Sequence, residues 1–171
     1  MSDELAKKTV PPEERWKLAT QSYTGSIAGY DIFVGQAMDK EKWIELHDNL
    51  WGEGAKMTWP QFKENFNLPC ENAIDASNLG GFITLITQGP EWEWETVEES
   101  PKKVVVRYHK CPWWNRYKEF GLKPEDMICP GGHKNVTSEG IKAVNPKIKV
   151  TLTKAMPWGD DYCEDVWEME E

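Results

Sequence analysis

The chain has 171 residues, with 29 acidic and 20 basic side chains and a formal net charge of -9 at pH 7. This length is sufficient for one domain with a hydrophobic core. An acidic chain repels nucleic-acid phosphates and anionic membrane surfaces, so we expect neither nucleic acid nor membrane as a partner. Ten tryptophans favour an aromatic-rich core, because one aromatic side chain can bury about 150–250 Å².

Residues 1–12 are polar and end in two prolines, which predicts a flexible N-terminal segment. The segment lacks the apolar run of a secretory signal or membrane helix, so we expect a cytoplasmic protein. In a reducing compartment the four cysteines are expected to be thiols or metal ligands rather than disulfides. Residues 13–171 are predicted to form a single α+β domain, with a helical half over 13–88 and a sheet-containing half over 91–170.

Apolar residues at intervals of three and four predict four helices in the first half of the chain. Asp39 is expected to cap the second helix, and Gly52 and Gly54 are expected to break it. The predicted helices cover residues 13–38, 39–51, 58–67 and 72–87.

From residue 91 the apolar period changes to two, which is typical of strands. The first of these segments alternates acidic and apolar residues and predicts one wet and one dry face. The predicted strands cover residues 91–97, 103–110, 145–152 and 162–169. The last two are expected to pair antiparallel across a hairpin loop.

Two helical segments are predicted between the second and third strands. The first covers residues 113–120, after a proline suited to a first helical position. The second starts near Lys123 and is expected to be interrupted by Pro130, Gly131 and Gly132. The predicted fold class is therefore α+β, with N-terminal helices packed on a small antiparallel sheet of about four strands.

Cys111 is a candidate nucleophile because it directly precedes Pro112, the predicted start of a helix. Free backbone amides and the positive end of the helix dipole stabilise a thiolate there, which predicts a lowered thiol pKa. His109, in the preceding strand, is a candidate to favour the anion further. The alternative is a buried structural cysteine.

A zinc site is an alternative to catalysis. Cys129 and His133 have a Cys-x-x-x-His spacing, across two glycines. Together with Cys111 and Cys163 they would supply four ligands from separate elements, although the chain has no Cys-x-x-Cys pair. The expected cofactor is therefore either none or zinc.

Further candidates carry carboxylates or aromatic rings. Asp165 is expected on the dry face of the last strand, where a carboxylate needs a partner. Asp160 lies in the predicted hairpin loop, where acidic residues commonly form turns. The candidates for contact with an aromatic ligand, with core packing as the alternative, are His47, Trp51, Trp113 and Trp114.

The second half of the chain also has a recognisable order of single residues. After a strand come Cys111, a short helix, Gly121, Cys129, and Asn145-Pro146 before a strand, and the last strand follows Gly159-Asp160-Asp161-Tyr162-Cys163. This order, over about residues 80–171, resembles the L-2-amino-thiazoline-4-carboxylic acid hydrolase-like family and, more distantly, the 4-vinyl reductase family of small-ligand domains. The resemblance implies a ligand cavity between a helical layer and an antiparallel sheet, with family cysteines at positions 111, 129 and 163. It also implies either opening of a cyclic amidine-like thiazoline ring or binding of small molecules or metal through those cysteines.

Two functional hypotheses follow. The first is a cysteine-dependent hydrolase acting on a cyclic or aromatic C–N substrate, in which Cys111 is the nucleophile, His109 or His133 moves protons, and Asp160 or Asp165 orients that histidine. The second is a non-catalytic binding or sensing module whose cysteines hold zinc or line a cavity. In both cases the expected partner is a small molecule. An exposed aromatic face would allow a homodimer, although no repeated interface pattern indicates one.

Overall fold

A computed structural model of the protein describes residues 10–170. Residues 1–9 of the predicted flexible segment lie outside the described residues. Within the described range the helices are α1 (Pro12–Ala37), α2 (Lys40–Asn65), α3 (Ala73–Gln88), α4 (Pro112–Glu119) and α5 (Cys129–Val144). The strands are β1 (Glu93–Glu99), β2 (Lys103–Lys110), β3 (Ile148–Lys154) and β4 (Cys163–Met169). The predicted α+β fold class is confirmed.

The four strands form one antiparallel sheet in the order β1-β2-β4-β3. The predicted pairing of β3 with β4 is confirmed, and β4 also pairs with β2. Helices α3 and α5 cover one sheet face, where Val104, Val106, Val150 and Trp167 are buried. The opposite face carries the Arg107–Glu164 ion pair.

The predicted dry face of β1 is wrong. All seven residues of β1 are exposed, because β1 lies at the edge of the sheet and the helices that cover the sheet pack mainly against β2, β3 and β4. Trp92, just before the strand, is the aromatic residue that packs against the core. The acid–aromatic alternation of β1 therefore marks an exposed sheet edge.

Helix α2 is continuous, which corrects the predicted break at Gly52 and Gly54. Asp39 caps it as predicted, since its side chain accepts a hydrogen bond from the Lys42 amide. The buried residues of α2 pack against α5, and Gly52 lies on that contact surface. The packing of the whole helix against α5 outweighs the low helix propensity of two glycines, which costs about 1 kcal/mol each.

Helix α5 is also continuous, so the predicted interruption at residues 130–132 is wrong. Pro130 lies in the first turn, where a helix does not need its missing N–H group. A Cβ atom at Gly132 would lie 2.6 Å from His47 Cε1, and one at Gly140 would lie 2.5 Å from Trp59 Cδ2. These glycines bring α5 into close contact with α2 rather than breaking the helix.

Two hydrophobic clusters hold the layers together. The larger one lies between α2, α3, α5 and the sheet. A smaller one around Ala28, Tyr117 and Met127 joins α1 to α4 and the loop before α5. Within residues 10–170, no helix has both the length and the apolar character needed to cross a membrane.

Candidate functional site

A cavity of about 80 Å³ lies where β2 ends and β4 begins. Cys111, Cys129 and Cys163 all line this cavity. They come from the start of α4, the start of α5 and the start of β4. Tyr108, which also lines the cavity, is the register partner of Cys163. The topology of the sheet thus brings together three cysteines that are far apart in the sequence.

The three thiols are held in their neutral form. Burial raises the pKa of the Cys111 thiol to about 12, although the backbone amides of Trp114 and Trp113 act in the opposite direction. Burial also raises the pKa of Cys163 to about 11, although its sulfur accepts a hydrogen bond of 3.4 Å from the Met156 amide. The lowered pKa predicted for Cys111 from its place before a helix is therefore wrong, because the loss of hydration outweighs the helix amides.

Cys129 lies in a similar environment. Burial raises the pKa of its thiol well above the ordinary value, and the nearby Cys111 and Cys163 raise it further. The three sulfurs are thus close enough to oppose one another's ionisation. A thiolate at any of them therefore forms only if its proton is transferred to another group.

His133 and Asp165 form an ion pair beside the thiols. His133 Nε2 lies 2.8 Å from Asp165 Oδ2, and Asp165 is completely buried. His133 is 26% exposed and lines the cavity. Burial lowers the pKa of His133, but the charge and hydrogen bond of Asp165 outweigh this effect and raise it above its ordinary value. The pair thus keeps a proton donor at the cavity wall. His133 also provides the partner that Asp165, on the dry face of β4, was predicted to need.

A second carboxylate, Asp31 of α1, lines the cavity with 7% exposure. Its Oδ2 atom accepts a hydrogen bond from the Tyr117 hydroxyl. Burial raises the pKa of Asp31, while that hydrogen bond and the electrostatic effect of His47 oppose the rise. Sequence reasoning missed both Asp31 and Tyr117. Asp31 follows Ala28 by three residues, so the two lie on the same face of the predicted helix, and Ala28 is buried in the structure. This spacing was the signal available in the sequence.

His47 has a fixed orientation on α2. Its Nδ1 atom lies 2.9 Å from Asp48 Oδ1, and its Nε2 atom accepts a hydrogen bond of 2.9 Å from the Trp51 indole N–H. These contacts assign the proton of the neutral ring to Nδ1. His47, Trp51 and Trp113 line the cavity, whereas Trp114 does not. The Trp114 ring packs beside the smaller hydrophobic cluster with the Lys118 amine over its face.

Two predicted catalytic residues lie outside the cavity lining. His109 is exposed on the strand face opposite that of Tyr108, and its Nε2 atom lies 3.1 Å from Glu95 Oε1. Asp160 accepts a hydrogen bond of 2.9 Å from the Ala155 amide and stabilises the turn before β4. Neither side chain is placed to take part in chemistry in the cavity.

The four predicted zinc ligands all line the cavity. Nevertheless, among residues 10–170 no three or more His, Cys, Asp or Glu side chains are grouped so as to hold a metal ion. The predicted four-ligand zinc site is therefore not assembled in this part of the chain.

Two solved structures share the fold at very low sequence identity. A trafficking protein particle complex subunit 3 from Naegleria fowleri, covalently bound to palmitic acid, has a TM-score of 0.65 and 10% identity over 91% of this chain and 97% of that chain. The phenol-responsive sensory domain of the transcription activator PoxR, with phenol, has a TM-score of 0.63 and 8% identity over 85% of this chain and 74% of that chain. These similarities concern the fold alone.

No curated protein matches this chain in sequence. The family model described as L-2-amino-thiazoline-4-carboxylic acid hydrolase matches residues 25–167. The resemblance found in the second half of the sequence thus extends over most of the chain, and the protein belongs to the L-2-amino-thiazoline-4-carboxylic acid hydrolase family.

Proposed function

We propose that this protein hydrolyses a small cyclic substrate with an amidine-type C–N double bond inside the cavity. Membership of the hydrolase family supports the reaction class. The observation that carries the proposal is the His133–Asp165 pair on the wall of a cavity that also contains three thiols. A proton donor and candidate nucleophiles thus face the same enclosed space.

His133 acts as the general acid. In its protonated form it gives a proton to the ring nitrogen of the substrate when that nitrogen loses its double bond to carbon, which makes the nitrogen a better leaving group. Asp165 is a positioning residue, because it orients the imidazole and favours its protonated form. The surrounding aromatic side chains limit the access of water, which strengthens the interaction between the charged groups.

Cys111 is the proposed nucleophile. Because burial keeps its thiol protonated, attack is coupled to proton loss. The sulfur bonds to the C=N carbon, the electron pair of the double bond moves to nitrogen, nitrogen takes the His133 proton, and the thiol proton replaces it on the histidine. Collapse of the adduct breaks the bond from this carbon to the ring nitrogen, which leaves as an amine and opens the ring, while the electron pair of the second amidine nitrogen forms a new C=N bond. Water then adds to the carbon, the C–S bond to Cys111 breaks as a carbonyl group forms, and the two water protons go to the Cys111 sulfur and to the released amine.

Turnover of L-2-amino-thiazoline-4-carboxylic acid tests the proposal. Ring opening is followed by liquid chromatography for the wild type and for His133→Gln and Cys111→Ala. Each of these variants is expected to lose about 10²–10⁴-fold in kcat/KM. The matched controls His109→Gln and Cys70→Ala alter the same residue types outside the cavity lining and should retain activity. Wild-type rates in both cavity variants would overturn the proposed mechanism.

A non-catalytic ligand-binding module is the second candidate function. The raised pKa of all three thiols favours it, because neutral thiols are poor nucleophiles. Both similar solved structures are described with an organic molecule bound. This candidate predicts saturable binding of phenol or a thiazoline with no ring opening. Measurable turnover that depends on His133 would exclude it.

A further inference from the structure

Asp31 is a buried carboxylate without a full set of partners. Its Oδ2 atom is held by Tyr117. Among residues 10–170, no donor forms a hydrogen bond with its Oδ1 atom, and no lysine or arginine lines the cavity. A buried charge is costly unless an opposite charge or several hydrogen bonds compensate it. The cavity therefore contains a negative group whose compensation is incomplete.

His47 does not complete it. The Nε2 atom of His47 lies 3.8 Å from Asp31 Oδ2, but this nitrogen already accepts the hydrogen bond from Trp51. An accepting nitrogen has no proton to donate, so it offers no hydrogen bond to the carboxylate. The other ring nitrogen faces Asp48. The contacts of His47 thus leave the charge of Asp31 available to a ligand.

We propose that Asp31 is the residue that selects the substrate, by binding a positively charged nitrogen of a small planar cation. This inference rests on the proposed function and adds the charge of the substrate to it. An amidinium or isothiouronium group presents two N–H donors in one plane, which suits a carboxylate with a free oxygen. Trp51 and Trp113 also line the cavity, in an edge-to-face arrangement with ring centroids 5.6 Å apart, and indole rings attract cations.

Asp31 and the protonated His133 are groups of opposite charge on the cavity wall, and they have different roles. Asp31 on α1 holds the cationic end of the ligand, while the protonated His133 on α5 faces the same cavity. The small cavity volume of about 80 Å³ restricts the ligand to a compact ring. A neutral ring of the same shape leaves Asp31 uncompensated, and it therefore binds more weakly.

Two probes with the same ring test this inference by equilibrium binding. The first is 2-amino-2-thiazoline, a cation at neutral pH, and the second is 2-methyl-2-thiazoline, which is neutral there. Calorimetry or tryptophan fluorescence should show the cation binding to wild-type protein at least about tenfold more tightly. In Asp31→Asn the ratio of the affinities for the cationic and the neutral probe should fall to about one, with affinity for the neutral probe retained.

Glu45→Gln is the matched control, because it removes one negative charge from an exposed position on α2. This variant should keep the wild-type ratio of the affinities for the two probes. Equal affinities of the wild type for the two probes would overturn the inference, and this comparison does not depend on any variant folding. A folded Asp31→Asn protein that keeps the preference for the cation would also overturn it.

The binding assay is independent of turnover, so the two proposals can fail separately. A charge preference that depends on Asp31, without ring opening of any thiazoline substrate, would refute the hydrolase function and support this inference. Ring opening without a charge preference would refute the role of Asp31 and leave the hydrolase function intact.

Discussion

Replacing Gly140 with alanine tests the close contact between α2 and α5 that encloses the cavity. The new Cβ atom would lie 2.5 Å from Trp59 Cδ2 and 2.6 Å from Trp59 Cε2. Favourable carbon–carbon contacts lie at about 3.5–4.0 Å, so the ring or the helix has to move by about 1 Å. Trp59 is 3% exposed, and its ring also packs near Gly80 of α3. It has little room to move.

The expected cost follows from this overlap. Overpacking a core typically costs about 1–3 kcal/mol, and alanine returns up to about 1 kcal/mol through its higher helix propensity. Because the overlap is with a ring that has little room to move, the overpacking cost is taken in the upper part of this range, at about 2–3 kcal/mol, and the expected net destabilisation is about 1–2 kcal/mol. For a chain of this size, this corresponds to a fall in Tm of about 2–8 °C.

Gly54→Ala is the matched control, since this glycine lies inside α2 and its Cβ would meet no atom within 4 Å. It should stabilise the protein by about 0.5–1 kcal/mol. Thermal and urea unfolding followed by circular dichroism measure both variants. Equal stabilisation by the two alanines would refute the idea that the glycines of α5 are required by contact with α2.

Three further predictions concern the cavity. Iodoacetamide should label the three cavity thiols more slowly at neutral pH in folded than in denatured protein, because their pKa values are raised; one unusually fast thiol would contradict this. Because the pKa of Asp31 is raised in the folded protein, the contribution of this side chain to stability is present at low pH and is lost as the carboxyl group ionises with rising pH. Asp31→Asn should therefore have the higher Tm at neutral pH, with the difference closing below about pH 4; a difference independent of pH would contradict this. Trp51→Phe removes the indole N–H that occupies His47 Nε2, so this nitrogen, 3.8 Å from Asp31 Oδ2, becomes available to Asp31 and should compete with the ligand. The preference for 2-amino-2-thiazoline over its neutral analogue should therefore fall; an unchanged ratio of the two affinities would show that the indole N–H has no such effect.

Local patterns were sufficient to predict much of the fold. The alternation around Val104 and Val106 indicated β2, and the alternation of β4 placed Asp165 on its buried face, because both signals depend on neighbouring residues. Asp39 marked the start of α2 through its capping chemistry. These features are determined within a few residues along the chain.

The remaining features depend on residues that are distant in sequence. Gly132, together with Pro130 and Gly131, suggested a broken helix because the sequence does not show that His47 packs against Gly132. The position of Cys111 before a helix suggested a thiolate because burial of the sulfur is a property of the whole fold. Asp31 was missed because its partner Tyr117 is 86 residues away.

The pH dependence of kcat/KM for the opening of the thiazoline ring, compared between the wild type and Asp165→Asn, tests the central claim most directly. Asp165 raises the pKa of His133, so the protonated acid persists above its ordinary pKa of about 6.5 and activity should fall only above that pH. Without the charge of Asp165, burial lowers the pKa of His133, and the alkaline limb should move to lower pH. An alkaline limb at the same pH in both proteins would show that the His133–Asp165 pair does not supply the proton.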